Sequence, residues 1–126
     1  MANELILIVE DDEKSRKLVR DVLTFKGYEI VEAETAEEGV PLAQERHPSL
    51  ILMDIRLPGI DGIQALGRLR AEVATRTIPV MAMTASVMAG DRHRVLDAGF
   101  DAFQSKPINL RDFLAAVERL LERHRK

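Results

Sequence analysis

The chain has 126 residues with 18 basic and 21 acidic side chains, a net charge of −3, and 46% hydrophobic and 31% charged residues. That length suits one domain burying about two-thirds of its unfolded surface, and the mild acidity disfavours nucleic acid or an anionic membrane as the main partner. No cysteine is present, which excludes disulfides, thiolate catalysis and Cys-based metal sites.

Residues 5–9 (LILIV) are apolar on both faces and too short for a helix, the pattern of a buried parallel strand. The run is also too short for a signal peptide and ends in four acids, Glu10, Asp11, Asp12 and Glu13. No segment has the length and apolarity to span a membrane, and the cytoplasm is the expected compartment. Over residues 15–26, Leu18, Val19, Val22, Leu23 and Phe25 keep helical spacing, with Gly27 placed just past the helix end. The acids sit where that helix begins, and its N-terminal dipole partly offsets their charge. Residues 28–33 alternate enough for another strand. Thr35 and Glu38 form a capping-box pattern for a helix to about Arg46. Pro41 inside it predicts a kink or irregularity, because proline lacks an N–H and crowds the preceding turn.

His47-Pro48 leads into the central stretch, residues 50–62, LILMDIRLPGIDG. Its four apolar residues predict a strand buried on both faces, and Pro58, Gly59 and Gly62 predict a loop leading into a helix. Asp54 therefore emerges at the edge of the sheet, where a charged carboxylate is costly without a compensating cation. Asp61 and Gln64 predict a cap for a helix carrying Ile63, Leu66, Leu69 and Val73. Residues 79–83 form the next expected strand, delivering Thr84. A looser connection over 85–90 precedes a short helix to Ala98 that stops at Gly99. Residues 101–105 are the last expected strand, ending at Lys106-Pro107. Asn109 caps a final helix with Phe113, Leu114, Val117, Leu120 and Leu121 on one face. Ile108 and Phe113 are placed for a hydrophobic staple, and residues 122–126 form a polar tail expected to fray.

Strands alternating with helices through short connections predict a parallel sheet covered on both faces. In such a sheet the carboxyl ends of the strands share one edge, where ligands bind. Glu10 and Asp11, Asp54, Thr84 and Lys106 all arrive there. Clustered carboxylates repel one another, and a hard divalent cation relieves that repulsion. With oxygen donors and neither His nor Cys in the set, Mg²⁺ is the natural occupant. Thr84 offers a hydroxyl donor, and Lys106 a point charge suited to a phosphate oxygen. The set describes a metal-assisted phosphoryl site with a carboxylate available as nucleophile.

These residues in this order resemble the receiver domain of bacterial two-component response regulators. The match runs through IVEDDE, LILMDIRLPGIDG, MTA and SKP and covers nearly the whole chain. The resemblance implies a doubly wound, flavodoxin-like α/β fold with a five-stranded parallel sheet in the order 2-1-3-4-5. It implies that residues 1–126 are a single receiver domain with its core over 4–122. Carried over residue by residue, Asp54 is the phosphoacceptor, Asp11 a direct Mg²⁺ ligand, and Glu10 acts on the metal through water. The backbone carbonyl of Arg56 is the remaining protein ligand. Thr84 and Lys106 bind the phosphoryl oxygens, and Phe103 matches the switch aromatic. The Lys106–Pro107 peptide is expected to be cis, as in relatives, although sequence alone favours trans. The wording MAGD and then SKPI looks closest to single-domain receivers.

The implied function is a phosphorylation-dependent switch rather than an enzyme, with self-catalysed phosphotransfer and slow autodephosphorylation. Its phosphodonor is a histidine kinase or a histidine phosphotransfer protein. A downstream protein partner reads the face made by the helix over about 90–98, the last strand and the final helix, with no direct nucleic acid contact and no membrane insertion. One alternative is a Mg²⁺-dependent phosphohydrolase with an aspartyl-phosphate intermediate. Such enzymes place an acid/base Asp two residues after the nucleophile, where this chain has Arg56. Another alternative is a receiver cut from a hybrid histidine kinase.

Taken singly, Glu10 to Glu13 read as a solvated helix start, Lys106 as a surface lysine, Thr84 as a strand end and Phe103 as core. Their joint spacing is what carries the resemblance. His47, His93 and His124 share no ligand spacing and read as surface residues. Arg92, His93 and Arg94 read as a solvated basic face, and Met53, Met81, Met83 and Met88 as core and loop filler.

Overall fold

Apolar runs of strand length, each closed by a turn and followed by an amphipathic segment, fold here as alternating strands and helices. The computed structural model describes residues 4–57, 59–84, 95–105 and 109–125. The elements are β1 (Leu5–Val9), α1 (Glu13–Phe25), β2 (Glu29–Ala33), α2 (Ala36–Arg46), β3 (Leu50–Asp54), α3 (Gly62–Ala71), β4 (Val80–Thr84), β5 (Ala102–Ser105) and α4 (Leu110–Arg125). Residues 95–97 are also helical.

All neighbouring strands pair in parallel, in the order β2-β1-β3-β4-β5. This is the expected doubly wound topology. The connection from β2 crosses over β1 to reach β3, so the chain reverses its direction of growth between β1 and β3. Strand alternation then sorts the core into two layers. Leu7, Val9, Ile51, Met53, Val80 and Ala82 face α2 and α3. Ile6, Ile8, Leu50, Leu52, Met81 and Met83 face α1 and α4, meeting Val19, Leu23, Phe113 and Val117. Every residue of β3 and β4 is buried. Each large apolar side chain so covered contributes about 1.5–3 kcal/mol relative to exposure.

Several local expectations need correction. Helix α1 begins at Glu13, two residues earlier than residue 15, because Asp12 serves as N-cap and accepts from Ser15 N at 2.9 Å. Its apolar stripe is narrower than the spacing predicts: Val19 and Leu23 are buried, but Leu18 is 47% and Phe25 88% exposed. Thr35 caps α2 by accepting from Glu38 N, yet the Glu38 carboxylate accepts from Glu34 N rather than from the N-cap itself. Helix α2 runs unbroken across Pro41, which lies on the exposed side, where solvent can serve the carbonyl that lacks a helical donor. Helix α3 stops at Ala71, leaving Val73 outside it and 78% exposed. The polar tail does not end α4 early; the helix reaches Arg125 on residues of good helix propensity. At its start Asn109 accepts from Asp112 N at 3.2 Å, while Ile108 of the expected staple lies outside the described residues.

The entry to α3 positions the sheet edge most tightly. A Cβ on Gly62 would stand 2.7 Å from the Asp54 carbonyl oxygen and 2.8 Å from Ile55 Cα, whereas one on Gly67 would meet nothing within 4 Å. Gly62→Ala should therefore lose about 1–3 kcal/mol of stability by overpacking against backbone. Gly67→Ala should gain about 0.4–1 kcal/mol from a stiffer unfolded chain. Urea denaturation of the two variants should give midpoint shifts of opposite sign; equal shifts would mean that the loop between β3 and α3 yields freely.

Candidate functional site

The carboxyl edge of the sheet gathers the polar residues, and each is placed by a local device. Strand β1 hands over to Glu10, whose N–H still donates to Ala33 O at 3.0 Å and so extends the β1–β2 ladder by one bond. The Glu10 carboxylate turns back to accept from Asp12 N at 3.2 Å. Asp11 is exposed to solvent. Asp12 is committed to the α1 cap, so of the four consecutive acids only Glu10 and Asp11 join the cluster.

Asp54 ends β3 opposite Met83, and its Oδ1 accepts from Arg56 N at 2.9 Å. That bond turns the chain sharply after the strand. The turn is held from both sides: Ile55 N donates to Met83 O, and Gly62 N donates to Ile55 O. A complete capping box follows, with Asp61 accepting from Gln64 N and Gln64 accepting from Asp61 N. The expected cap of α3 is thus present in both halves. From α2, the Glu37 carboxylate rests against Gly59, which has φ +78, and accepts from Ile60 N at 3.4 Å.

Glu10, Asp11 and Asp54 each present a carboxylate oxygen, and the three oxygens lie within 4.8 Å of one another. Glu10 and Asp54 are buried at 4% and 7% exposure, while Asp11 is exposed. Two carboxylates about 4 Å apart repel by on the order of 4 kcal/mol at an effective dielectric of about 20. A hard cation reverses the sign of that term. The donor set fits Mg²⁺ in kind: all oxygen, partly dry, and open at Asp11 to the waters this ion retains. Among the described residues this is the group of acids with such geometry.

Thr84 closes β4, buried at 2% exposure, one residue beyond the Met83 that pairs with Asp54. Phe103 lies on β5 opposite Ala82, and Thr84 lies opposite Ser105. Alternation puts Thr84 on the side of Val80 and Ala82, the layer against which the half-buried Phe103 packs. Threonine and phenylalanine are therefore diagonal neighbours on one face. Lys106, Pro107, Met88 and the Arg92–Arg94 cluster lie outside the described residues. His47 is exposed at the C-cap of α2 with φ 49 and takes no part in the cluster. Two supports leave little or no trace in the sequence. Glu37 braces the loop after Asp54, and Arg16 grips the Glu10 carbonyl at 2.9 Å. The only signal for the second is a cation in the first turn of a helix that follows clustered acids.

Residues 6–118 match the family model described as the response regulator receiver domain. The chain is 40% identical over 116 residues to the polar-differentiation response regulator DivK of Brucella ovis, covering 92% of this chain and 94% of that protein. A CheY-like response regulator receiver domain protein from Methanospirillum hungatei superposes with a TM-score of 0.89 at 30% identity, over 98% of each chain. The receiver domain of a sensor histidine kinase from Pseudomonas aeruginosa also superposes with a TM-score of 0.89, at 30% identity over 96% of this chain and 99% of that one. Its crystal structure has a magnesium ion coordinated in the active site cleft.

The crowding of the three acids has a direct test. Asp11→Asn removes one charge at an exposed position without disturbing the strands. In metal-free buffer the variant should melt higher than the parent, because repulsion is relieved. Added Mg²⁺ should raise the parent's melting temperature by mass action and the variant's by less. A variant that melts lower without metal, or gains as much from it, would contradict the crowding argument.

Proposed function

The chain belongs to the response regulator receiver family of two-component signalling, and we propose that it works as a phosphorylation switch with Asp54 as the phosphoacceptor. Members of this family receive phosphoryl groups from histidine kinases and act on downstream partners. The observation that carries the reading is the convergence of Glu10, Asp11 and Asp54 within 4.8 Å at the carboxyl edge. Thr84 stands at the end of the adjacent strand.

In the proposed reaction an Asp54 carboxylate oxygen attacks phosphorus in line. The new O–P bond forms as the P–N bond to the donor's phosphohistidine breaks, and the imidazole nitrogen leaves with the bonding pair. Arg56 N–H on Oδ1 fixes the plane of the carboxylate before attack. Asp11, Asp54 and the Arg56 carbonyl would hold Mg²⁺, with Glu10 acting through water. The ion supplies neutralisation of the charge on the transferring phosphoryl oxygens. The Thr84 hydroxyl donates to a phosphoryl oxygen, and Lys106 contributes a second contact; the role of Lys106, like the cis Lys106–Pro107 peptide, rests on the SKP motif. The phosphodonor is a histidine kinase or a histidine phosphotransfer protein, and the compartment this implies is the cytoplasm.

The output belongs to the same reading. A Thr84 side chain drawn to the phosphoryl group vacates space on the face it shares with Phe103. The ring, which has no hydroxyl to satisfy, moves inward by packing alone. The surface of β5, α4 and the helical residues 95–97 changes with it, and a protein partner reads the change. Residues 1–126 act as one receiver domain in this scheme. A useful switch needs about 1–3 kcal/mol of coupling between the two sites.

Two experiments follow. Incubation with acetyl phosphate and Mg²⁺ should add a single phosphoryl group by mass spectrometry, lost with EDTA and lost in Asp54→Asn. Full labelling of Asp54→Asn would remove the assignment. Thr84→Ala should still accept phosphate, yet show much smaller phosphorylation-induced amide shifts in β5 by NMR. Shifts as large as the parent's would separate the switch from Thr84.

A further inference from the structure

The Glu10 carbonyl sits just past the last paired residues of β1 and β2, where the ladder ends and the backbone turns toward α1. Arg16, in the first turn of α1, reaches back to this point. Its Nη1 donates to Glu10 O at 2.9 Å, while its Nε donates to Glu32 Oε1 at 3.2 Å on β2. Nη2 lies 3.7 Å from Glu34 Oε1. Glu32 is itself held on a second side, by Arg20 Nη1 at 3.2 Å. The guanidinium is largely covered, with 14% of its side chain exposed. One planar group thus ties the end of β1 to β2 and to the start of α1, with donors serving separate acceptors at once.

The peptide gripped in this way is the one joining Glu10 to Asp11, the two acids that β1 contributes to the carboxylate cluster. We infer that Arg16 is a positioning residue for the metal site: by clamping the Glu10 carbonyl it fixes the direction in which the Glu10 and Asp11 carboxylates leave the backbone. The inference rests on the proposed Mg²⁺ site and adds to it a residue that touches neither metal nor phosphoryl group. It has a distinguishing sign. A guanidinium bound to the backbone carbonyl of one cluster acid opposes a cation electrostatically, so charge removal alone would tighten Mg²⁺ binding. Loss of positioning weakens it.

The test is Mg²⁺ titration of the unphosphorylated protein, following amide shifts of the residues around Asp11 and Asp54 by NMR, with thermal melting of the metal-free proteins alongside. Arg16→Gln should raise the Mg²⁺ dissociation constant roughly tenfold, the lower end of the usual effect of removing a ligand's support. Arg16→Lys keeps the charge but has no fork to bridge two acceptors, and should recover only part of the affinity. Glu32→Gln, away from the cluster, should weaken binding in the same direction by loosening the other end of the clamp; it keeps the test open if Arg16→Gln folds poorly. Unchanged or tighter binding in Arg16→Gln, with or without a lower melting temperature, overturns the positioning role. Absence of any Mg²⁺-dependent shift in the parent protein overturns the metal reading itself, and the clamp with it.

Discussion

Three carboxylates held within 4.8 Å at the end of a buried sheet are the constraint on which this molecule turns. Left alone they repel, and two of them are nearly dry. The fold tolerates this because repulsion is small beside the stabilisation from the two core layers that fix the strand ends. Burial of every residue in β3 and β4 anchors Asp54 and Thr84 to the most fully covered strands of the sheet. A cation bound at the three acids would relieve that repulsion without movement of the strands.

Around that cluster the chain spends its backbone donors with economy. Asp12 N goes to Glu10, Arg56 N to Asp54, and Ile60 N to Glu37. Each bond satisfies an N–H in a loop and orients the carboxylate that receives it. The absence of a side chain at Gly62 lets α3 approach the Asp54 carbonyl, so the loop after the strand stays short. Precision at the edge comes from loops pinned at several points.

Much of this is legible in the amino-acid sequence. Apolar runs in β1, β3 and β4 are strong signals, because a strand buried on both faces has no polar alternation to confuse it with a surface helix. Caps at Thr35, Asp61 and Asn109 follow from local chemistry and hold in the structure. The site acids were legible as well, since a parallel sheet sends every strand end to one edge. What escaped were effects decided by neighbours. Phe25 and Leu18 have the spacing of core residues, yet α4 and the sheet cover only a narrow stripe of α1. Val73 continues the pattern of α3 past the point where the helix stops. Arg16 and Glu37 look like ordinary surface charges until the crossing of elements brings them to a carbonyl and a loop. The Glu37 bond joins residues 23 apart and leaves no local trace, and the Arg16 bond leaves only a cation placed after clustered acids.

The order of the strands leaves β2 with one open side, and such an edge invites a foreign strand to add to the ladder. Two of its five residues are glutamates, Glu29 and Glu32. Glu32 is half-buried and drawn into pairs with Arg16 and Arg20, so two guanidinium side chains from α1 lie along the strand. The opposite edge, β5, has only four residues. A second copy meeting either side finds a charged border or a short one. The same sheet that gathers three carboxylates along its carboxyl end thus offers unfavourable borders to a strand arriving from the side.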